Sequence, residues 1–160
     1  MTFTSRLHAI NRNNDYGANC VGILPGNAAA PLRLHSYWDT NLVVKAMTGN
    51  IATAQQRVLA YIRAQPTSTV EAWKQGDPAQ WAQDSYDLAK QSAYAEVAGA
   101  TPERRGFVFK DEHGNPDKRC GPVDVFRLSA DYDTAAKKIV TEQMAKAAVR
   151  LAYLLQTNFR

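Results

Sequence analysis

The segment Leu34-His35-Ser36-Tyr37-Trp38-Asp39-Thr40 is the stretch around which we interpret the fold of the whole chain. Its His35 and Asp39 are four residues apart, and on a helix this spacing puts both side chains on one face, one turn apart. An imidazole nitrogen and a carboxylate oxygen placed in this way can share one zinc ion. The alternative interpretation is a surface ion pair at the start of a helix, because one His-x-x-x-Asp match is not specific.

Length and composition indicate one domain. The chain has 160 residues, of which 45% are hydrophobic, and we therefore predict a single domain over residues 1–160. The formal net charge of +4 attracts polyanions only modestly and does not by itself identify a nucleic-acid-binding protein. No apolar run approaches the ~20 residues that a transmembrane helix needs.

The N-terminus and the cysteines bear on the cellular compartment. Residues 1–8 lack the apolar core of a secretory signal, so the chain as written is expected in the cytoplasm. Cys20 and Cys120 either form one disulfide or remain as two thiols, and their separation in sequence does not decide between these alternatives.

Apolar residues recur at helical spacing over much of the chain. The predicted helices cover residues 41–47, 51–64, Ser68 or Thr69 to 73, 78 to about 97, and a last helix that is capped by Ser129 or Asp131 and runs to about 156. Asp77 is a suitable N-cap for the fourth of these helices, and Pro78 suits its first position. A short strand is predicted at 20–24, and for 106–110 and 123–126 a hairpin and a surface loop are equally good interpretations. We therefore expect an all-α fold with one or two short β-hairpins.

The last helix is the clearest predicted element, because a wide apolar stripe runs along it. The stripe consists of Val140, Met144, Ala147, Leu151 and Leu154. We expect this helix to pack in the core of its own domain, and the alternative is a helix that binds a partner. The aromatic residues Trp73, Trp81 and Tyr86 are likewise expected to be core anchors, with base stacking as the alternative.

Five stretches, taken in order along the chain, together resemble one family. They are Leu7-His8, Asp15-Tyr16-Gly17-Ala18-Asn19, Leu34 to Asp39, Trp81 to Tyr86, and Gln143 to Leu155. The family is that of the zinc-dependent single-strand nucleases of the S1/P1 type, which includes plant bifunctional nucleases and is related in fold to a phospholipase C. The resemblance covers nearly the whole chain and looks like the later half or more of a full family member. It therefore implies an N-terminally truncated form.

The resemblance also implies a zinc site. Family members hold three zinc ions in one cleft, and the ligands of one of them correspond to His8, His35 and Asp39. Three protein ligands with open positions for water are typical of a catalytic zinc. Asp15 would orient a ligand histidine without binding the metal itself.

Substrate binding in the family involves a Gly-Gly-Asn segment that helps to hold the nucleotide. Gly17 and Asn19 match that segment, whereas Ala18 stands in place of its second glycine. Two further departures concern metal ligands and their neighbours. Thr2 replaces an aspartate that bridges metals, and Thr4-Ser5-Arg6 replaces His-Gln-Pro. Ligands for only one zinc ion are therefore evident in this chain. One more departure, Arg33 in place of an asparagine, lies directly before the Leu-His motif.

The function that the resemblance implies is that of a single-strand endonuclease and 3′-nucleotidase, which hydrolyses single-stranded DNA and RNA to 5′-phosphorylated products. One zinc ion can acidify water but cannot contact both the attacking and the leaving oxygen, so we expect little or no activity from this chain alone. The alternatives are a phospholipase C-like hydrolase and a non-catalytic helical remnant or binding module. Family members are usually secreted or periplasmic, which suits a Cys20–Cys120 disulfide. We expect a monomer.

Overall fold

Helices and one small sheet make up the computed structural model, which describes residues 15–159. The elements in chain order are β1 (Gly22–Leu24), β2 (Leu32–Arg33), α1 (Leu34–Ser36), a π-helical segment (Tyr37–Leu42), α2 (Val43–Met47), α3 (Ile51–Arg63), α4 (Thr67–Trp73), α5 (Pro78–Ser92), β3 (Arg104–Val108), β4 (Pro122–Arg127) and α6 (Tyr132–Asn158). The fold is mainly helical with short strands, as predicted. Within the described range, none of the helices combines the length and the apolar character that crossing a bilayer requires.

The four strands form one sheet in the order β2-β1-β4-β3. β1 pairs antiparallel with β2 and parallel with β4, and β3 and β4 form an antiparallel hairpin. The hairpin interpretation of this region is thus confirmed, although β3 begins at Arg104 rather than at Gly106. The register shifts between Arg104 and Phe107, where Gly106 has a positive φ of 68°. β2 leads directly into α1, so the edge of the sheet determines where the His-x-x-x-Asp motif lies.

The helix that carries the motif begins earlier than predicted. We expected helical structure from Asn41, but the chain is helical from Leu34 and passes through the π-helical segment before α2. A π-helical turn contains one residue more than an α-helical turn and is frequent at functional sites. Leu34, Tyr37 and Leu42 from this stretch are fully buried, so tertiary packing rather than local propensity determines where the helix starts.

The N-terminal caps of α3 and α5 follow the sequence closely. Asn50 accepts a hydrogen bond from the backbone N–H of Thr53 (3.0 Å), and Asp77 accepts one from that of Gln80 (2.8 Å). Pro78 is the first residue of α5, as predicted. α4 begins at Thr67, slightly before the predicted start.

The C-terminal end predicted for α5 is wrong. The helix ends at Ser92, and residues 94–99 form turns. The apolar residues that extended the helical pattern, Tyr94 and Val97, are buried in the main core from this turn. Tertiary packing buries these two side chains, so their helical spacing in the sequence does not indicate a helix at this point.

Three hydrophobic clusters stabilise the described part of the chain. The main one joins Ile23 of the sheet and Tyr37 of the motif to Tyr132 and Val140 of α6. A second cluster surrounds Phe109 and includes both cysteines, which form the Cys20–Cys120 disulfide. In the third cluster, side chains of α3 and α4 pack against α6.

The apolar stripe of α6 is only partly in the core, which corrects our expectation. Val140 is buried, but Met144 and Leu151 are 42% and 59% exposed. Ala145 and Val149, which lie outside the predicted stripe, are buried instead, because α3 and α4 cover that face of the helix. The stripe faces a groove, which is described below.

Candidate metal centre

His35 in α1 and Asp39 in the π-helical segment face each other across one helical turn. Nε2 of His35 lies 3.1 Å from Oδ2 of Asp39, and their side chains are 37% and 54% exposed. Two ligands on one tetrahedral zinc ion, each about 2.0–2.1 Å from the metal, are about 3.3 Å apart. The separation of the pair therefore suits a shared ion, and the exposure leaves room for further ligands.

The other nitrogen of His35 is held by the backbone. Nδ1 lies 3.0 Å from the carbonyl oxygen of Gly17. A carbonyl oxygen accepts only, so Nδ1 is the donor in this contact, and Nε2 is the nitrogen that faces Asp39 and is available to a metal ion. A metal-binding histidine is commonly oriented in this way by a carbonyl behind it. The two residues present thus fit the zinc site that the sequence predicts.

The loop that supplies this carbonyl has an unusual backbone. Tyr16, Gly17 and Ala18 have consecutive positive φ values of 49°, 65° and 69°. A residue with a Cβ atom pays about 1–2 kcal/mol in this left-handed region, whereas glycine does not. This explains why a second glycine suits the position that Ala18 occupies in this chain.

Asp15 acts on this loop rather than on the histidine itself. Its Oδ1 accepts a hydrogen bond from the N–H of Gly17, and its Oδ2 accepts one from the hydroxyl of Tyr94, both at 3.0 Å. Burial, together with the charge of Asp15, raises the pKa of Tyr94, so the hydroxyl remains a donor. Asp15 therefore reaches His35 through Gly17.

The side-chain amide of Asn19 donates to the carbonyl of Tyr16 at 3.0 Å. Gly17 lines the groove next to His35, whereas the side chain of Asn19 contacts its own loop. His8, the third predicted ligand, lies outside the described residues. Across residues 15–159, no group of three or more His, Cys, Asp or Glu side chains is placed to hold a metal ion.

A groove of about 750 Å³ extends from His35 and Asp39 between α5 and α6. Its walls are mostly apolar and include the Met144–Leu151 part of the α6 stripe and the ring of Trp81. We expected Trp81 to be a core anchor, but it lies on this wall.

Arg150 lines the same groove and stacks on Trp81, with its guanidinium carbon 4.8 Å from the ring centroid. Its Nε donates to the carbonyl of Trp73 at 3.0 Å. The sequence did not predict the groove, and we expected Arg150 on the polar face of α6, opposite the apolar stripe, rather than beside it. The only indication of a groove in the sequence was the width of the apolar stripe on α6, which is greater than one neighbouring helix can cover.

The described chain is a mainly helical fold with one small sheet, and it carries an oriented His–Asp pair beside a mostly apolar groove. Among protein-family models, that of the S1/P1 nucleases matches residues 6–160. The chain therefore belongs to the S1/P1 nuclease family, whose members are in general zinc-dependent. No curated protein and no solved structure matches the chain.

Proposed function

We propose that His35 and Asp39, together with His8, hold a zinc ion that serves the hydrolysis of phosphodiester bonds in single-stranded DNA or RNA and of 3′-nucleotides. The products from DNA and RNA would carry a 5′-phosphate, whereas a 3′-nucleotide would give a nucleoside and inorganic phosphate. The observation that carries the proposal is the geometry of His35, whose Nε2 lies 3.1 Å from Asp39 while its Nδ1 is held at 3.0 Å from the Gly17 carbonyl.

A bound zinc ion supplies a water molecule that is acidic near neutral pH and a Lewis acid for a phosphoryl oxygen. In this proposal, the residues of the chain bind the zinc ion and fix the orientation of its histidine ligand. Nε2 of His35 presents a lone pair, Asp39 contributes a negative charge, and Gly17 prevents the imidazole from rotating. Asp15 keeps the N–H of Gly17 in place from behind.

Weak activity is part of the proposal. Ligands for one zinc ion are evident in the sequence, and one ion cannot contact both the attacking and the leaving oxygen of an in-line displacement. We propose that Gly17 and Asn19 hold the nucleotide through their loop at the mouth of the groove, with the chain acting as a monomer.

Secretion is proposed on two grounds. S1/P1 nucleases are typically secreted, and the Cys20–Cys120 disulfide suits an oxidising compartment.

A phospholipase C-like activity is the second candidate, and the groove is the observation that favours it. The walls beside His35 and Asp39 are mostly apolar, which suits a substrate with an acyl chain better than a polyanion. A substrate panel separates the two candidates. Single-stranded DNA, RNA, 3′-nucleotides and phosphatidylcholine vesicles would be compared at equal enzyme concentration.

The test of the metal site is the zinc content of the purified chain, measured together with chelator-sensitive cleavage of single-stranded DNA. His35→Ala and Asp39→Asn should each lose bound zinc and any cleavage. His113→Ala is the matched control, because His113 also pairs with a carboxylate, Glu112, at 3.6 Å but is highly exposed on a turn.

Three outcomes are informative. Zinc that disappears in both site variants and persists in the control supports the site. A parent chain that binds no zinc, or site variants that keep it, overturns the proposal. Robust chelator-sensitive cleavage would support the nuclease function and contradict the expectation of weak activity.

A further inference from the structure

Arg33 lies at the end of β2, two residues before His35, and its guanidinium contacts three separate parts of the chain. Nη1 donates to the carbonyl oxygen of Asn19 at 2.7 Å, and Nη2 donates to Oδ2 of Asp117 at 2.8 Å. The guanidinium also lies over the ring of Phe109, 4.2 Å from its centroid. These contacts leave the side chain only 16% exposed.

The loop from Tyr16 to Ala18 needs to be held at both ends. Two of its three left-handed residues, Tyr16 and Ala18, are strained, and a strained backbone persists only where the surrounding structure fixes it. Asp15 holds the upstream end through the N–H of Gly17. Arg33 holds the downstream end through the carbonyl of Asn19.

The anchor of Arg33 is itself rigid. Asp117 is buried, and Arg119 also contacts it through its backbone N–H at 2.9 Å and through its guanidinium at 3.2 Å. The neighbouring Cys120 is tied to Cys20, the residue after Asn19, by the disulfide. Arg33 therefore connects the loop to a fixed point rather than to a mobile side chain.

We propose that Arg33 is a positioning residue for the His35–Asp39 pair. By bridging the Asn19 carbonyl and Asp117, it keeps the Gly17 carbonyl against Nδ1 of His35 and so keeps Nε2 directed at Asp39. The role in zinc binding rests on the function proposed above, whereas the role in orienting the imidazole does not.

The forked geometry of arginine is essential to this role. Two nitrogens of one guanidinium reach two acceptors on different segments, and an ammonium group has no such fork. Arg33→Lys keeps a positive charge beside Asp117, which also retains Arg119, so this variant is expected to fold. It should lose the bridge to Asn19.

Arg127→Lys is a matched control. Arg127 also joins a carbonyl, that of Gly26, to a carboxylate, that of Glu103, but on β4 and away from the Gly17 loop. Both variants thus lose the same kind of bridge from a strand of the same sheet.

Two measurements test the proposal on the full chain. The first is a nitrogen–proton correlation spectrum of the imidazoles without metal, which reports which ring nitrogen carries the proton. The parent and Arg127→Lys should show a proton on Nδ1 of His35, the nitrogen that Gly17 holds, and Arg33→Lys should show Nδ1 only partly protonated. The second is the zinc dissociation constant from competition with a chelator, which Arg33→Lys should raise by about 10- to 100-fold and Arg127→Lys should leave unchanged.

The outcomes separate this inference from the proposed function. A parent chain that binds no zinc would contradict the proposed function, and the imidazole spectrum alone would then decide the role of Arg33. A folded Arg33→Lys variant with the same His35 protonation as the parent overturns the inference, whatever the zinc result. Equal loss of zinc affinity in both variants would reduce Arg33 to a general structural role and also overturn it.

Discussion

Asp117 is a buried carboxylate that two arginines, Arg33 and Arg119, contact at 2.8–3.2 Å. Hydrogen bonds from the side chain and then the backbone N–H of Arg119 lower the pKa of Asp117 from 3.8 to about 2. A buried carboxylate with this number of donors is stable only in its charged form. The contact by which Arg33 connects the loop from Tyr16 to Ala18 to Asp117 is therefore sensitive to acid.

The first prediction concerns stability at low pH. Because the pKa of Asp117 is lower in the folded chain than in the unfolded one, its contribution is complete above about pH 4 and is lost as the pH falls toward about 2. Asp117→Asn should therefore lose less stability than the parent over that range, measured by thermal unfolding. Asp87→Asn, at a partly exposed position of α5, should behave like the parent. Identical pH profiles for parent and Asp117→Asn would contradict the prediction.

Among the elements, α5 shows how local chemistry determines where a helix begins. The Asp77 side chain accepts a hydrogen bond from the N–H of Gln80, and Pro78 lacks an N–H that would otherwise need a partner. The indole N–H of Trp81 donates to the carbonyl of Gln75 at 2.7 Å. The first turn of α5 thus holds the aromatic wall of the groove.

The second prediction follows at this scale. Asp77→Ala removes the cap and should lower the free energy of unfolding by about 1 kcal/mol, measured by urea denaturation. Asp77→Asn keeps a capping oxygen and should change stability by less than half as much. If both variants were equally unstable, the charge of Asp77 rather than its cap would be the cause.

On the scale of the whole molecule, the Cys20–Cys120 disulfide joins residues 100 positions apart in sequence. It links the segment before β1 to the turn before β4, close to the Arg33–Asp117 pair. A cross-link over so long a loop restricts the unfolded chain strongly.

The third prediction is that the double variant Cys20→Ser/Cys120→Ser unfolds more easily than the parent by about 2–5 kcal/mol, measured by denaturant unfolding. The parent treated with a reductant should match the double variant, because both lack the same bond. A double variant that unfolds at the same denaturant concentration as the oxidised parent would show that the disulfide does not stabilise the fold.

Part of the fold and of the candidate site was predictable because the relevant physics is local. The cap at Asp77 and the helix after it depend on neighbours within one turn, and so does the pairing of His35 with Asp39. The family resemblance also lies in short motifs. The later end predicted for α5 failed because Tyr94 and Val97 follow helical spacing but are buried from a turn.

The sequence by itself determined the mainly helical class, the caps and the i, i+4 pair, since each arises from residues that are close in the chain. Only the tertiary structure decided that Gly17 orients His35, that Arg33 reaches Asp117, and that the α6 stripe faces a groove. The first two contacts join residues 18 and 84 positions apart, and the groove lies between whole helices. No local periodicity specifies such partners, because they depend on how the sheet and helices pack together.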